Sequence, residues 1–307
     1  MPPTVRPYEP RDLATLRALL AAPGVREQYD KFAGPDGTER MLADPYTPTG
    51  GVRLAFVAGE PAGFALPIVL PGPPAAWAVL RGAVLPRYRR GGIGRALYVA
   101  VTHWLDSQGP MHELALSAWQ PDPGAEGFAA ALGFRHDRWY WLMERPRGAA
   151  PEPVWPAGVS VRALDGSEAM LRDWNDAYND SFAEHYRYVA SPLAHVHTLA
   201  QKPGFRLDGV LLAYRGGHVA GFCRDELFDS RGEVGTLGTV RAARGIGLGR
   251  ALLRWGVGWL ERESTLPVTL LVDGDNEGAL ALYRSEGFTV TRTRRTWAKP
   301  AKPLAPA

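Results

Sequence analysis

Two glycine-rich segments carry the first chemical signal in this sequence. Arg89-Arg90-Gly91-Gly92-Ile93-Gly94-Arg95-Ala96-Leu97 and Arg244-Gly245-Ile246-Gly247-Leu248-Gly249-Arg250-Ala251-Leu252 are one motif written twice, at an offset of 155. Each follows a strand-like apolar run and opens a helical one. Glycines let backbone approach a ligand closely, successive N–H groups can converge on one point, and a helix start adds partial positive charge. The chemistry this suits is the holding of a phosphate. A Walker loop is excluded, because no Lys follows a Gly anywhere in the chain. A dinucleotide fingerprint lacks its third glycine in both copies, which read Gly92-Ile93-Gly94-Arg95-Ala96-Leu97 and Gly247-Leu248-Gly249-Arg250-Ala251-Leu252.

The elements that must position these loops repeat as well. Gly133-Phe134 answers Gly287-Phe288 at offset 154, and Thr4-Val5-Arg6 answers Ser160-Val161-Arg162 at offset 156. Three markers in one register imply a duplicated unit. In the second half, strands are predicted at 159–163, 209–214, 218–228, 233–240, 268–272 and 288–297, and helices at 167–183, 249–263 and 277–286. The first half gives the same order, its strands at 5–7, 52–59, 62–70, 75–85, 113–119 and 134–145 and its helices at 12–21, 94–108 and 125–132. The fold class expected is α/β (α+β), a mixed central sheet flanked by helices, used twice. The boundaries expected are a first domain at 1–146, a Pro/Gly/Ala-rich linker at 147–158, a second domain at 159–299 and a disordered tail at 300–307.

Arg-x-x-Gly-x-Gly after a strand, followed by Asp275-Asn276-Glu277-Gly278-Ala279-Leu280-Ala281-Leu282-Tyr283-Arg284-Ser285-Glu286-Gly287-Phe288, resembles the GNAT superfamily of N-acetyltransferases. The resemblance covers both halves. Two fused copies, with Gly232-Glu233-Val234 and Leu237-Gly238 before the second loop, further resemble the mycothiol synthase-like tandem branch of that superfamily. It implies acetyl-CoA as acyl donor. Its pyrophosphate would lie on Arg244, Gly245, Ile246, Gly247, Leu248, Gly249 and Arg250, its pantetheine arm along Leu237, Thr239 and Val240, and Asn276 would orient that arm or cap a helix. In the first copy the matching positions are Val84, Arg89, Gly92, Gly94 and Arg95, and whether a second, non-reacting acetyl-CoA binds there stays open.

Acetyl transfer to an amine needs a base for the ammonium proton, an oxyanion donor and an acid for the leaving thiolate. The resemblance gives Glu233 the base role and Tyr283 the acid role, the latter's phenol being protonated at neutral pH. Shifted into the first copy, Glu233 falls on Ala78, Tyr283 on Ala129 and Asn276 on Asp122. The first copy therefore keeps the loop and lacks both catalytic groups. Asp180, His185 and Tyr186 stand where an acceptor amine would enter; a solvated face with aromatic core residues is the other reading of that stretch.

Composition excludes several classes. The net charge is +3 over 307 residues, too little for a nucleic-acid surface. Four of the 35 basic residues are Lys and the rest Arg, mostly an effect of overall composition. The one cysteine, Cys223, excludes an internal disulfide and a Cys-rich metal site and reads as a small buried hydrophobe. His185, His195 and His197 have no metal-binding pattern around them, so no metal is expected. Residues 61–80 carry no charge, but five prolines make them two strands around Pro71-Gly72-Pro73-Pro74 rather than a membrane helix. A cytoplasmic enzyme acting on a primary amine of a small molecule is expected, with no nucleic-acid or membrane partner and an open oligomeric state. The alternatives are a peptide or protein N-terminal acetyltransferase and a non-catalytic acyl-CoA-binding module.

Overall fold

The structure, a computed structural model, describes residues 2–72, 75–148, 150–202 and 204–301. The described residues form two compact units, one made of those up to 139 together with those from 294 on, the other of those within 140–293.

In the first unit the strands β1 (Thr4–Pro7), β2 (Arg53–Val57), β3 (Glu60–Leu70), β4 (Ala76–Val84) and β5 (Met111–Trp119) lie in that spatial order. All pairs are antiparallel except β4–β5, which is parallel. Helices α1 (Leu13–Ala21) and α2 (Gly37–Leu42) cover one face, and α3 (Ile93–Asp106) and α4 (Pro123–Ala131) the other. Alternation decides which side chain meets which helix: Leu54 joins the core under α1 and its neighbour Ala55 the core under α3. The uncharged stretch 61–80 falls in the β3–β4 hairpin, Leu70 opposite Trp77. Pro73 and Pro74 lie outside the described residues. Among the described residues no helix is long and apolar enough to cross a membrane.

β6 (Arg135–Arg145) begins in the first unit and ends in the second. The second unit then holds β7 (Val159–Ala163), α5 (Glu168–Phe182), α6 (Leu193–Ala200), β8 (Val210–Arg215), β9 (His218–Leu227), β10 (Gly232–Thr239), α7 (Leu248–Glu263), β11 (Val268–Asp273) and α8 (Glu277–Ser285); β12 (Thr289–Pro300) closes the chain. Its strand order is β7-β8-β9-β10-β11-β6. β10–β11 is the parallel pair, the counterpart of β4–β5. Helices α5 and α6 cover one face over Val210, Leu212 and Phe222; α7 and α8 cover the other over Leu211, Cys223, Val234 and Leu270. Ser167 caps α5, and Gly287 (φ 87°) ends α8 as Gly133 (φ 78°) ends α4.

The predicted elements agree with these within a few residues; α2 and α6 were not anticipated. The domain boundaries are corrected. Residues 140–145 of β6 pair with β11, Arg145 opposite Val268, so this part of the expected first domain completes the second unit. Residues 294–300 of β12 pair with β5, Arg294 opposite Trp119. Each unit thus takes its sixth strand from the other half of the sequence. Pro300, expected in a tail, ends that strand opposite Glu113, and the Ala301 N–H donates to the His112 carbonyl; residues 302–307 lie outside the described residues.

Candidate active site

In the second unit β10 and β11 are paired only through Gly232–Val268, Glu233–Thr269 and Val234–Leu270, and then part. At the parting point β10 carries a bulge against β9, between Val234 and Thr236. Gly235 fills it. A Cβ there would stand 2.6 Å from Glu226 Oε2, so a larger residue would push the Glu226 carboxylate aside. Beyond the bulge β10 runs to Thr239, and Arg241–Ala243 turns the chain into the loop. Gly245 (φ 79°) and Gly247 (φ 89°) are left-handed, and Gly247 is the N-cap of the 16-residue α7. Among the described residues, the N–H groups of Gly245 through Arg250 meet no protein acceptor, while the Ala251 N–H already bonds the Gly247 carbonyl. Six amides held beside a helix start form a cradle for a multiply charged anion.

The arginines of the loop are braced. Arg244 donates to Glu184 Oε2 (2.7 Å) and to the Ser181 carbonyl (3.2 Å). Arg250 donates to Ser285 Oγ (3.0 Å) and to Glu286, which Arg254 also holds at 2.9 Å. Leu237 packs on the α7 core, Thr239 Cγ2 faces Gly249, and the Val240 N–H bonds the Ala220 carbonyl.

Glu233 stands at the start of β10, 4% exposed. Arg231, equally buried, donates from Nε to Glu233 Oε2 at 3.1 Å. Across the strand, Glu226 is the direct neighbour of Glu233, and Arg224 pairs with Glu226 at 3.1 Å and with Thr236 Oγ1 at 3.1 Å. Tyr283 lies on α8 with its ring edge-on to Phe288, centroids 6.2 Å apart. Burial, with a smaller contribution from Cys223, pushes its phenol up to about 12. Its hydroxyl has no hydrogen-bond partner among the described residues. Asn276 caps α8, accepting the Ala279 N–H at 3.1 Å, as Asp122 caps α4 for Ala125.

The acceptor candidates are placed less simply. Asp180 is clamped by Arg241, whose backbone N–H (2.7 Å), Nε and Nη2 all donate to it; these bonds hold its carboxyl below the usual range. The His185 ring lies tilted against Phe182, centroids 4.5 Å apart, and burial lowers its imidazole. Tyr186 is exposed beneath the Arg187 guanidinium. Sequence reasoning missed Arg231, Arg224 and Glu226. Their signal in the sequence was the i, i+2 spacing of opposite charges, Arg224 with Glu226 and Arg231 with Glu233. Cys223 is fully buried and its thiol is held well above its usual range by burial. Among the described residues no three His, Cys, Asp or Glu side chains are grouped to share a metal ion.

The first unit repeats the frame without the groups. β4 and β5 also part, after five pairs ending at Leu80–Leu116, with no bulge against β3. Ala78 and Ala129, at the positions of Glu233 and Tyr283, are fully buried in one apolar cluster. Gly92 (φ 79°) caps α3, and Phe128 leans over Gly94, 3.3 Å from where a Cβ would be. Arg89 donates to the Val84 and Gly24 carbonyls (3.0 and 2.7 Å), and Arg95 is exposed.

Parallel strands that part beside a glycine-bordered helix start, built twice in one chain, are the frame of a tandem GNAT protein. The chain belongs to the acetyltransferase (GNAT) family, which it matches over residues 22–134 and 168–288, and is an acetyltransferase. Among its relatives are the mycothiol acetyltransferases of Salinispora arenicola (34% identical over 291 residues, 91% of each chain) and Thermobispora bispora (33% over 287 residues, 90% of this chain and 91% of that one). A GCN5-related N-acetyltransferase from Sphaerobacter thermophilus superposes with a TM-score of 0.74 at 25% identity, over 98% of this chain and 96% of that one. A tandem GNAT protein from the clavulanic acid biosynthesis pathway shares the fold, with a TM-score of 0.77 at 18% identity over 99% and 100% of the two chains.

Proposed function

We propose that this protein transfers an acetyl group from acetyl-CoA to a primary amine of a small, mycothiol-related molecule, and that the second unit performs the reaction. The observation that carries this reading is the set of acceptor-free amides from Gly245 to Arg250, lying directly after the parted strand β10. They suit the pyrophosphate, and the strand edge at Leu237, Thr239 and Val240 suits the extended pantetheine arm, with a backbone N–H there as oxyanion donor. Asn276 borders that arm from the start of α8. Acetyl-CoA supplies the activated acyl group. Glu233 takes the ammonium proton of the acceptor, directly or through water, and the amine attacks the thioester carbon. Tyr283 then protonates the departing thiolate, a role its phenol fits because burial keeps it protonated.

His185 and Tyr186 border the acceptor, with Asp180 acting through Arg241 rather than by direct contact with a cation. The names of the relatives, mycothiol acetyltransferases, support a mycothiol-related acceptor. The deciding experiment is a thiol-release assay with acetyl-CoA against cysteine-bearing pseudo-disaccharides, aminoglycosides, polyamines and short peptides. Release with the first class alone is the expected result. Release only with peptides moves the assignment to N-terminal peptide acetylation, and acetyl-CoA binding without any release defeats it.

A further inference from the structure

Resting on the reading of Glu233 as base, we infer that Arg231 is the positioning residue of this site, fixing the Glu233 carboxylate in orientation and in its ionised form. A carboxyl so deeply buried would ordinarily escape desolvation by taking up a proton, and a protonated acid cannot accept one from an amine. The Arg231 guanidinium, always charged, supplies the compensating charge, and its Nε–H is directional, meeting Oε2 at 3.1 Å. Arg231 is itself held: its carbonyl accepts the Phe228 N–H at 2.9 Å, closing the turn between β9 and β10. On the neighbouring strands, Glu226 of β9 lies opposite Glu233 with Arg224 beside it, and Thr269 of β11 pairs with it, its hydroxyl donating to the Gly232 carbonyl. Glu226 pairs with Arg224, and Arg231 is the cation whose Nε meets Glu233.

The duplication supplies a control within the chain. At offset 155, Arg231 and Glu233 fall on Ala76 and Ala78, and the strand neighbour of Ala78 is Val69 where Glu233 has Glu226. The frame folds with alanine at both places. The ion pair is therefore not a requirement of the sheet, and it is present in the unit that also has Tyr283.

The test uses the full-length chain with Arg231→Gln, Arg231→Lys, Glu233→Gln and the double variant Arg231→Ala/Glu233→Ala. Circular dichroism and melting establish folding, and the double variant is expected to melt near the parent, as the first unit implies. In Arg231→Gln the acidic limb of the kcat/KM profile should move upward by about one pH unit or more, with kcat at neutral pH down about tenfold and KM for acetyl-CoA within about twofold. Arg231→Lys should return the limb toward its original place. If Glu233→Gln is inactive while Arg231→Gln leaves the limb unmoved, Arg231 has no such role and the base assignment stands. If Glu233→Gln keeps full activity, the base assignment and the inference fall together.

Discussion

Arg90 and Gly245 occupy the same place in the two copies and adopt the same left-handed backbone, φ 66° and 79°. An L-residue with a Cβ resists that conformation, and the first unit bears the strain where the second has a glycine. A Cβ at Gly245 would meet nothing within 4 Å, so the cost of Gly245→Ala is in the backbone alone. It should destabilise the protein by about 1–2 kcal/mol and weaken acetyl-CoA binding, since the adjacent amides would turn away. Arg90→Gly should be neutral to stabilising by about 1 kcal/mol, because the freedom gained by the unfolded chain offsets part of the relief. Melting curves and calorimetry of both variants check this.

Tyr283→Phe keeps the ring against Phe288 and removes only the hydroxyl. We expect kcat to fall about 100-fold with acetyl-CoA affinity unchanged. In the parent, the phenol at about 12 should leave no alkaline loss of activity attributable to Tyr283 below about pH 10. A pH–rate profile of the two proteins measures it.

Asp225 is buried under α7 at 3% exposure, with Oδ2 unpartnered and Oδ1 near the Cys223 thiol at 3.6 Å. Burial raises its carboxyl well above the usual range. The folded state therefore retains a proton that the unfolded chain has released. Stability from this group is fully present below about pH 4 and falls by about 1.4 kcal/mol per pH unit as pH rises toward the folded value. Asp225→Asn should abolish that slope and be more stable than the parent at alkaline pH. Denaturant melts across pH 4–9 decide it.

In the first unit the parted strands are bridged by the protein itself. Tyr29 Oη donates to the Gly82 carbonyl of β4 (2.9 Å), and the Gln28 amide meets both the N–H and the carbonyl of Trp119 on β5 (2.8 and 3.0 Å). A pantetheine arm would have to displace these bonds, so calorimetry should find one acetyl-CoA per chain. Gln28→Ala should lower stability by about 1–2 kcal/mol, because two buried backbone groups lose their partner.

Much of this was readable before any coordinates. The matching glycines located both loops, Asn276 and Asp122 proved to be caps at the aligned positions, and Ala78 and Ala129 stand where the second copy has Glu233 and Tyr283. Spacing carries such information because helix starts, turns and left-handed positions depend on residues within a few places of one another. The roles of the charges were not readable. Asp180 looked like a free anion for an amine, yet Arg241, 61 residues away, holds both its oxygens.

The sequence by itself determined that one α/β unit is written twice, that both copies end a strand in a glycine-rich loop, and that the second alone retains Glu233 and Tyr283. Only the tertiary structure decided that β6 completes the second unit and β12 the first, that Arg231 stands against Glu233, and that side chains of the first unit bridge its own parted strands. Periodicity specifies that a segment is a strand and which face it buries. It does not specify the partner, because any edge with matching register can satisfy the same backbone groups, and that choice is made by packing across the whole unit.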